Sequence, residues 1–305
     1  MSKNSATQKC RKPKKLTNKW LPADYVFVVI LALLALSVII PFMNVISISL
    51  SSDVAYNENR AMIFPKDITF VGYKALLGGI GFWRSFAMTV FYVVVFVTLR
   101  LVSSLIGGYA IAKKGVGGTK VMVILLMIPM LFSGGAVPTY LLMVNLGFVD
   151  NIMVFLIVGC VDCYHILLVK TFLRGIPDSM EEAATLDGAN VIQVLFMVLA
   201  PMCKPVLVTI GMLAAIDKWN NWYLGDMYIQ DKTYLLPLQN LVMTIQESSM
   251  SSITSMDIFG DINIAGYQKA FERATTMVVT LPMMMVYPFI QKYFEKGLNL
   301  GSVKE

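Results

Sequence analysis

The sequence predicts an all-α polytopic membrane protein: six transmembrane helices with one short polar helix in a cytoplasmic loop. Three observations carry this. Hydrophobic residues make up 57% of the 305 positions and charged residues only 14%, against about 25% charged in soluble domains. Several apolar stretches exceed the roughly 20 residues that cross a bilayer. Basic residues recur in alternate connections, which sets a sidedness.

The spans are read at 25–47, 85–111, 121–142, 151–172, 195–216 and 274–294. Residues 1–305 form one membrane domain without a hinge-like linker. Within it, 1–24 is a basic tail, 176–190 a cytoplasmic loop and 217–273 an extracytoplasmic loop. Lys3, Lys9, Arg11, Lys12, Lys14, Lys15 and Lys19 place the N-terminal tail in the cytoplasm. Lys113, Lys114 and Lys120 do the same for the loop after the second span. Lys170 and Arg174 agree after the fourth span, and Lys292, Lys296 and Lys304 at the C-terminus. Both ends are therefore expected inside. The net charge of +6 is mostly orientation signal, and no nucleic-acid role is expected. The first apolar run is too long for a signal-peptide core.

Taken in order, the spans carry few polar groups. Arg100 lies within the second, where a charge costs roughly 2.5–3.5 kcal/mol on insertion scales, so it faces the interior or snorkels. In the third, Gly134-Gly135 and Pro138 disrupt regular helix. The kink faces the bundle or a water-filled path rather than lipid. In the fourth, Asp162, Tyr164 and His165 cluster, with Asp162 and His165 within one turn. They line a polar path or partner Arg100 internally. Lys204 snorkels at the start of the fifth span. The outer segments 48–84 and 217–273 read either as ordered loops capping the bundle or as a landing surface for an extracytoplasmic partner.

Several chemistries find no residues. Cys160 and Cys163 form a C-x-x-C inside a span and read as helix packing. Cys10 and Cys203 do not complete a disulfide framework. His165 is the single histidine, so no histidine metal site is expected. No catalytic set appears. The phosphate-binding G-x-x-x-x-G-K-[ST] pattern is absent, so energy must come from another subunit or an ion gradient.

The most informative segment runs from Ile176 to Pro201. Ser179 with Glu182, or Asp178 with Glu181, frames a capping box. Pro177 suits a helix entry, Glu181 and Glu182 suit the dipole of a first turn, and Gly188 is a natural stop. Asn190 then caps a second helix with Gln193. Ala184 and Gly188 share a face that lets another backbone approach. A capped small-residue helix in a cytoplasmic loop offers a docking piece to a soluble partner.

The same segment resembles the EAA loop of ABC importer permeases. The family pattern is Glu-Ala-Ala, three residues, Gly, nine, Ile, one, Leu-Pro. Here Glu182-Ala183-Ala184, Gly188, Val198 and Ala200-Pro201 hold that spacing, with Val for Ile and Ala for Leu. Ile176-Pro177 and Asp187-Gly188-Ala189 are similar to the sugar-importer branch. So are Phe64-Pro65, Thr69-Phe70, Tyr73 and the run Trp219-Asn220-Asn221-Trp222. The run from Phe132 to Leu142 resembles permeases for oligosaccharides.

The resemblance implies a type I ABC importer permease fold in a bacterial plasma membrane, multi-pass, both termini cytoplasmic. It implies a coupling helix seated in an ATPase cleft, with Glu181, Glu182, Ala183, Ala184, Asp187 and Gly188 as coupling residues. Candidate substrate-path residues are Asp162, Tyr164, His165, Tyr140, Asn220 and Asn221. The implied partners are a homologous second permease, two copies of an ABC ATPase subunit, an extracytoplasmic solute-binding protein, a carbohydrate and membrane lipid. The chain binds no cofactor, ATP and Mg²⁺ being used by the ATPase. The alternatives are an ion-coupled secondary carrier, a membrane-embedded glycosyl transferase, or an ABC permease for a non-sugar solute. Asp162 is the only carboxylate deep within a predicted span, which gives a carrier little to work with.

Overall fold

The computed structural model describes residues 22–58, 63–113, 115–247 and 267–302. The basic tail with Cys10, Lys114, the 248–266 part of the expected outer loop, and Lys304 lie outside the described residues. So do the side chains of Lys292 and Lys296. Among the described residues every regular element is helical.

Two helices are single uninterrupted spans by length and apolarity: α1 (Pro22–Ser49) and α4 (Ile80–Ala112). The other spans depart from straight rods. The third is α5 (Thr119–Leu131) and α6 (Ala136–Asn145), bent by 110° at Phe132–Gly135. Gly135 takes φ +86°, which ends one helix and starts the next. The expected kink is thus a full break. It does not pack against this chain's own bundle, because positions 131–139 are all exposed.

The fourth span is also broken. α7 (Met153–Ile157) stops, 158–162 run non-helically, and α8 (Cys163–Leu173) restarts. Gly159 takes φ +82° at this break. The fifth begins with α10 (Val191–Gln193), a π-helical stretch Val194–Leu199 and α11 (Ala200–Met202), then turns by 84° into α12 (Lys204–Trp219). Lys204 sits exposed at this corner. The sixth lies within α15 (Gln268–Ser302), with Pro282 and Pro288 inside it.

The expected outer loops are largely helical as well. Between α1 and α4 lie α2 (Asp53–Asn57) and α3 (Val71–Gly78). After α12 come α13 (Tyr223–Tyr228), a 3₁₀ turn Thr233–Leu235 and α14 (Leu238–Glu247). The composition of α14 reads as loop because only one of its faces is apolar. That face is buried: Leu238, Leu241, Val242 and Ile245 of α14 pack with Trp219, Phe82, Phe271 and Leu76.

Polar contacts lock these pieces. The Asp53 carboxylate accepts from the backbone N–H groups of Gln268 (2.7 Å) and Lys269 (3.1 Å), capping α15 from a distant part of the chain. Gly72 lets α3 approach α15 closely, since a Cβ there would stand 2.9 Å from the Ala270 backbone. Gly108 does the same between α4 and α8, where a Cβ would meet Val169 at 2.6 Å. The Thr89 hydroxyl accepts from Leu238 N–H (2.7 Å) and the Tyr92 hydroxyl donates to the Leu235 carbonyl (2.9 Å). The α12–α14 segment is thereby pinned to α4.

Candidate functional site

The short polar helix is α9 (Ser179–Leu186). Neither expected capping box forms at its start. Asp178 already has helical φ −59° and ψ −29°, not the extended geometry of a capping residue, and its side chain makes no cap hydrogen bond. The preceding turn runs straight into the helix, with Met180 N–H donating to the Pro177 carbonyl (3.2 Å). The stop does form at Gly188, with φ +87°. Ala189 N–H donates to the Ala184 carbonyl and Gly188 N–H to that of Thr185, both at 3.0 Å. This is a Schellman turn. Asn190 then starts the next helix with both arms of a capping box, 2.9 Å and 2.8 Å to and from Gln193.

The unit presents two faces. Ala184 is half-buried, packed toward Tyr109, Leu173 and Leu195. Gly188 lies beyond the helix in the turn, so the shared helical face of Ala184 and Gly188 does not form. Glu182, Ala183, Asp187 and Gly188 are exposed, with open space where a Gly188 Cβ would stand. Leu186 is 88% exposed, an apolar tip among these polar groups. Glu181 turns the other way, and its Oε1 accepts from Lys113 Nζ (2.9 Å) and Tyr109 Oη (2.7 Å). Burial would raise the Glu181 pKa, but these two hydrogen bonds outweigh it and hold the carboxyl below its ordinary value. The bond to Glu181 correspondingly raises the Lys113 pKa.

The second polar locus is inside the bundle. Arg100 of α4 is buried and donates to the Gly159 carbonyl at the break in the fourth span. Ser103 donates to the neighbouring Cys160 carbonyl (2.9 Å). Side chains of α4 thus satisfy backbone groups freed by the break, as a membrane interior requires. Arg100 lies 3.8 Å from Asp162 and 4.0 Å from Asp217, with its guanidinium 4.8 Å from the Phe96 ring centroid. Lys218 is buried beside it, 4.6 Å from the Phe96 centroid and 5.7 Å from that of Phe155. Its Nζ has no hydrogen-bond acceptor among the described residues.

Asp162 is the cap of α8 rather than a residue within a continuous helix. Its Oδ1 accepts from His165 N–H (3.0 Å) and stands 3.5 Å from His165 Nδ1. Tyr164 is exposed, its ring edge-on to His165. Tyr140 instead stacks on Tyr228 (5.7 Å) and accepts from Gln230 Nε2 (3.2 Å). Asn221 accepts from Leu224 N–H (3.2 Å), while Asn220 ends α12 exposed. The expected path residues therefore fall into separate groups.

Asp217 and Lys218 escaped the sequence reading because they follow the fifth apolar run and look like the start of a loop. The signal was helical spacing, since Leu213, Asp217 and Asn220 lie on one exposed face of α12. Asp217 is a second carboxylate at the interior locus, so Asp162 is not alone there. No local pattern marks Tyr109 and Lys113 as partners of α9, because in the sequence Lys113 signals only sidedness. Among the described residues no cluster could hold a metal ion.

Comparison with known proteins adds identity to this geometry. The Bacillus subtilis protein LplC is 31% identical over 87% of this chain and 89% of its own. The B. subtilis polygalacturonan/rhamnogalacturonan transport system permease protein YtcP is 28% identical over 90% of this chain and 95% of its own. A chain in the crystal structure of a bacterial ABC transporter involved in the import of the acidic polysaccharide alginate superposes with TM-score 0.81. It is 30% identical and covers 91% of this chain and all of that one. The profile for binding-protein-dependent transport system inner membrane components matches residues 118–300. The chain therefore belongs to that family and is a membrane-embedded permease subunit of the ABC importer type.

Proposed function

We propose that the chain forms half of the translocation pathway for an oligosaccharide handed over by an extracytoplasmic solute-binding protein. The observation that carries the reading is α9 with its Schellman turn and exposed Leu186 tip. A stopped, rigid helix with an apolar tip ringed by Glu182, Ala183, Asp187 and Gly188 suits the cleft of a separate ATPase subunit. One such unit per permease fits two permeases, two ATPase copies and a pathway at the permease interface. ATP and Mg²⁺ then bind the ATPase, and this chain performs no chemistry itself.

Sidedness follows from the basic residues, with both termini and α9 in the cytoplasm. At membrane depth an exposed carboxylate does not face lipid. The α12 face with Asp217 and Asn220 therefore turns to a water-filled path, with Asp162 joined to Asp217 through Arg100. Hydroxyl-rich solutes suit such a lining of acceptors and amides. Relatives whose names specify polygalacturonan or rhamnogalacturonan, melibiose, raffinose and stachyose, and arabinooligosaccharides support the sugar class.

The test is reconstitution with the second permease, ATPase and binding protein in proteoliposomes. Uptake is measured for galacturonan, alginate, raffinose, arabinan and chitobiose oligosaccharides. ATP-dependent uptake of at least one is expected. Sugar accumulation by this chain alone, driven by a proton or sodium gradient, would replace the reading with a secondary carrier.

A further inference from the structure

Glu181 does not share the outward face of Glu182. Its Oε1, Tyr109 Oη and Lys113 Nζ close a triangle, the third edge being Lys113 Nζ to Tyr109 Oη at 3.2 Å. The triangle sits at the C-terminal end of α4. Lys113 caps that end, its N–H donating to the Tyr109 carbonyl, and its cation lies where the helix dipole favours positive charge. Beside the triangle lies an open cavity of about 630 Å³ bordered by α4, α8 and α9, with Tyr109, Lys113, Leu173, Arg174, Glu181 and Leu199 among its lining. The triangle is thus a charged strut from α9 to α4 at the edge of that cavity, beside the apolar contact of Ala184. At its far side α4 continues toward Arg100, which holds the break in the fourth span and touches Asp217 of α12.

We infer that Glu181 is a positioning residue for energy coupling, its bridge to Tyr109 and Lys113 making α4 follow α9 when a docked ATPase displaces α9. The inference rests on the proposed docking of α9. Charge-assisted bonds to one carboxylate oxygen are short and directional, so they transmit both push and pull. A half-exposed pair adds little to folding, so its loss leaves the chain folded, with Ala184 still packed, and removes the directional polar link. The outward residues Glu182, Ala183 and Leu186 remain available for docking without it.

The test uses the whole importer, this chain with its second permease and ATPase subunits. The variants are Glu181→Ala, Lys113→Met and the charge swap Glu181→Lys with Lys113→Glu. Hydrogen exchange of segment 179–188 is read first and needs no sugar. Each single variant should raise its exchange at least fivefold with ATPase co-purification within about twofold of wild type. The swap should recover at least half of the protection. Unchanged exchange in both single variants overturns the inference, whether or not any sugar is transported. The second readout is sugar moved per ATP hydrolysed, using a sugar from the panel above that the wild-type importer accumulates. A drop of about fivefold in the single variants, partly restored by the swap, is expected. A normal ratio, or transport lost only in step with lost ATPase, overturns it. A wild-type importer that moves no panel sugar counts against the proposed function, and the exchange result still decides the strut.

Discussion

Arg100 of α4 and Asp162 at the start of α8 lie 3.8 Å apart across the break in the fourth span. Asp162 does two things there, since it also caps α8 through His165 N–H. Asp162→Asn keeps an acceptor for the cap and removes the charge beside Arg100, whereas Asp162→Ala removes both. Loss of a cap costs about 1 kcal/mol. Thermal unfolding in detergent should rank wild type above Asp162→Asn, and Asp162→Ala lowest. Equal midpoints for the two variants would show that the cap contributes nothing.

Gly188 at φ +87° holds the Schellman turn, and nothing of this chain stands within 4 Å of a Cβ there. Gly188→Ala should therefore cost only the left-handed strain, about 1–2 kcal/mol. Gly188→Asp adds charge on the proposed docking face and should lower uptake at least tenfold in a well-expressed permease. Uptake assayed with ATPase co-purification checks this, and normal uptake by Gly188→Asp refutes it.

Asp150 stitches together the segments before α7 and after α13. Its Oδ1 accepts from the N–H groups of Gln230 (2.8 Å), Asp231 (3.0 Å) and Lys232 (3.1 Å). Those backbone bonds, Lys232 foremost, lower its pKa. A depressed carboxyl pKa means the stabilisation is full above the ordinary carboxylate range and fades as pH falls through the lowered value. Proteolysis within 229–235 should thus accelerate only in that acidic window. Asp150→Ala should show the fast cleavage at neutral pH as well, and a pH-independent cleavage rate in the wild type would contradict the assignment.

Gly108 brings α8 against α4, and the nearest atoms to an added Cβ include the Lys170 backbone nitrogen at 3.1 Å as well as Val169. Backbone cannot rotate away. Gly108→Ala should destabilise the pair by about 1–3 kcal/mol, the usual cost of overpacking. The readout is the melting midpoint, with Gly117→Ala, which meets nothing within 4 Å, as the neutral control.

The sequence by itself determined the membrane class, the helical content, and the stop of α9 and restart of the chain at Asn190. Apolar length, the left-handed glycine at 188 and the Asn190–Gln193 capping box are local signals, each written within a few residues, and they survive folding because no distant group competes for them. The start of α9 departs from the capping-box pattern because a capping box also needs an extended first residue, and Asp178, one residue after Pro177, has helical geometry instead. Only the tertiary structure decided that Arg100 serves Gly159, Asp162 and Asp217 together, and that Glu181 turns to Lys113 while Glu182 faces out. Those choices depend on which helix faces meet. Helix faces meet through close approaches such as Gly108 against Val169, between residues far apart in the chain, and no local pattern records them.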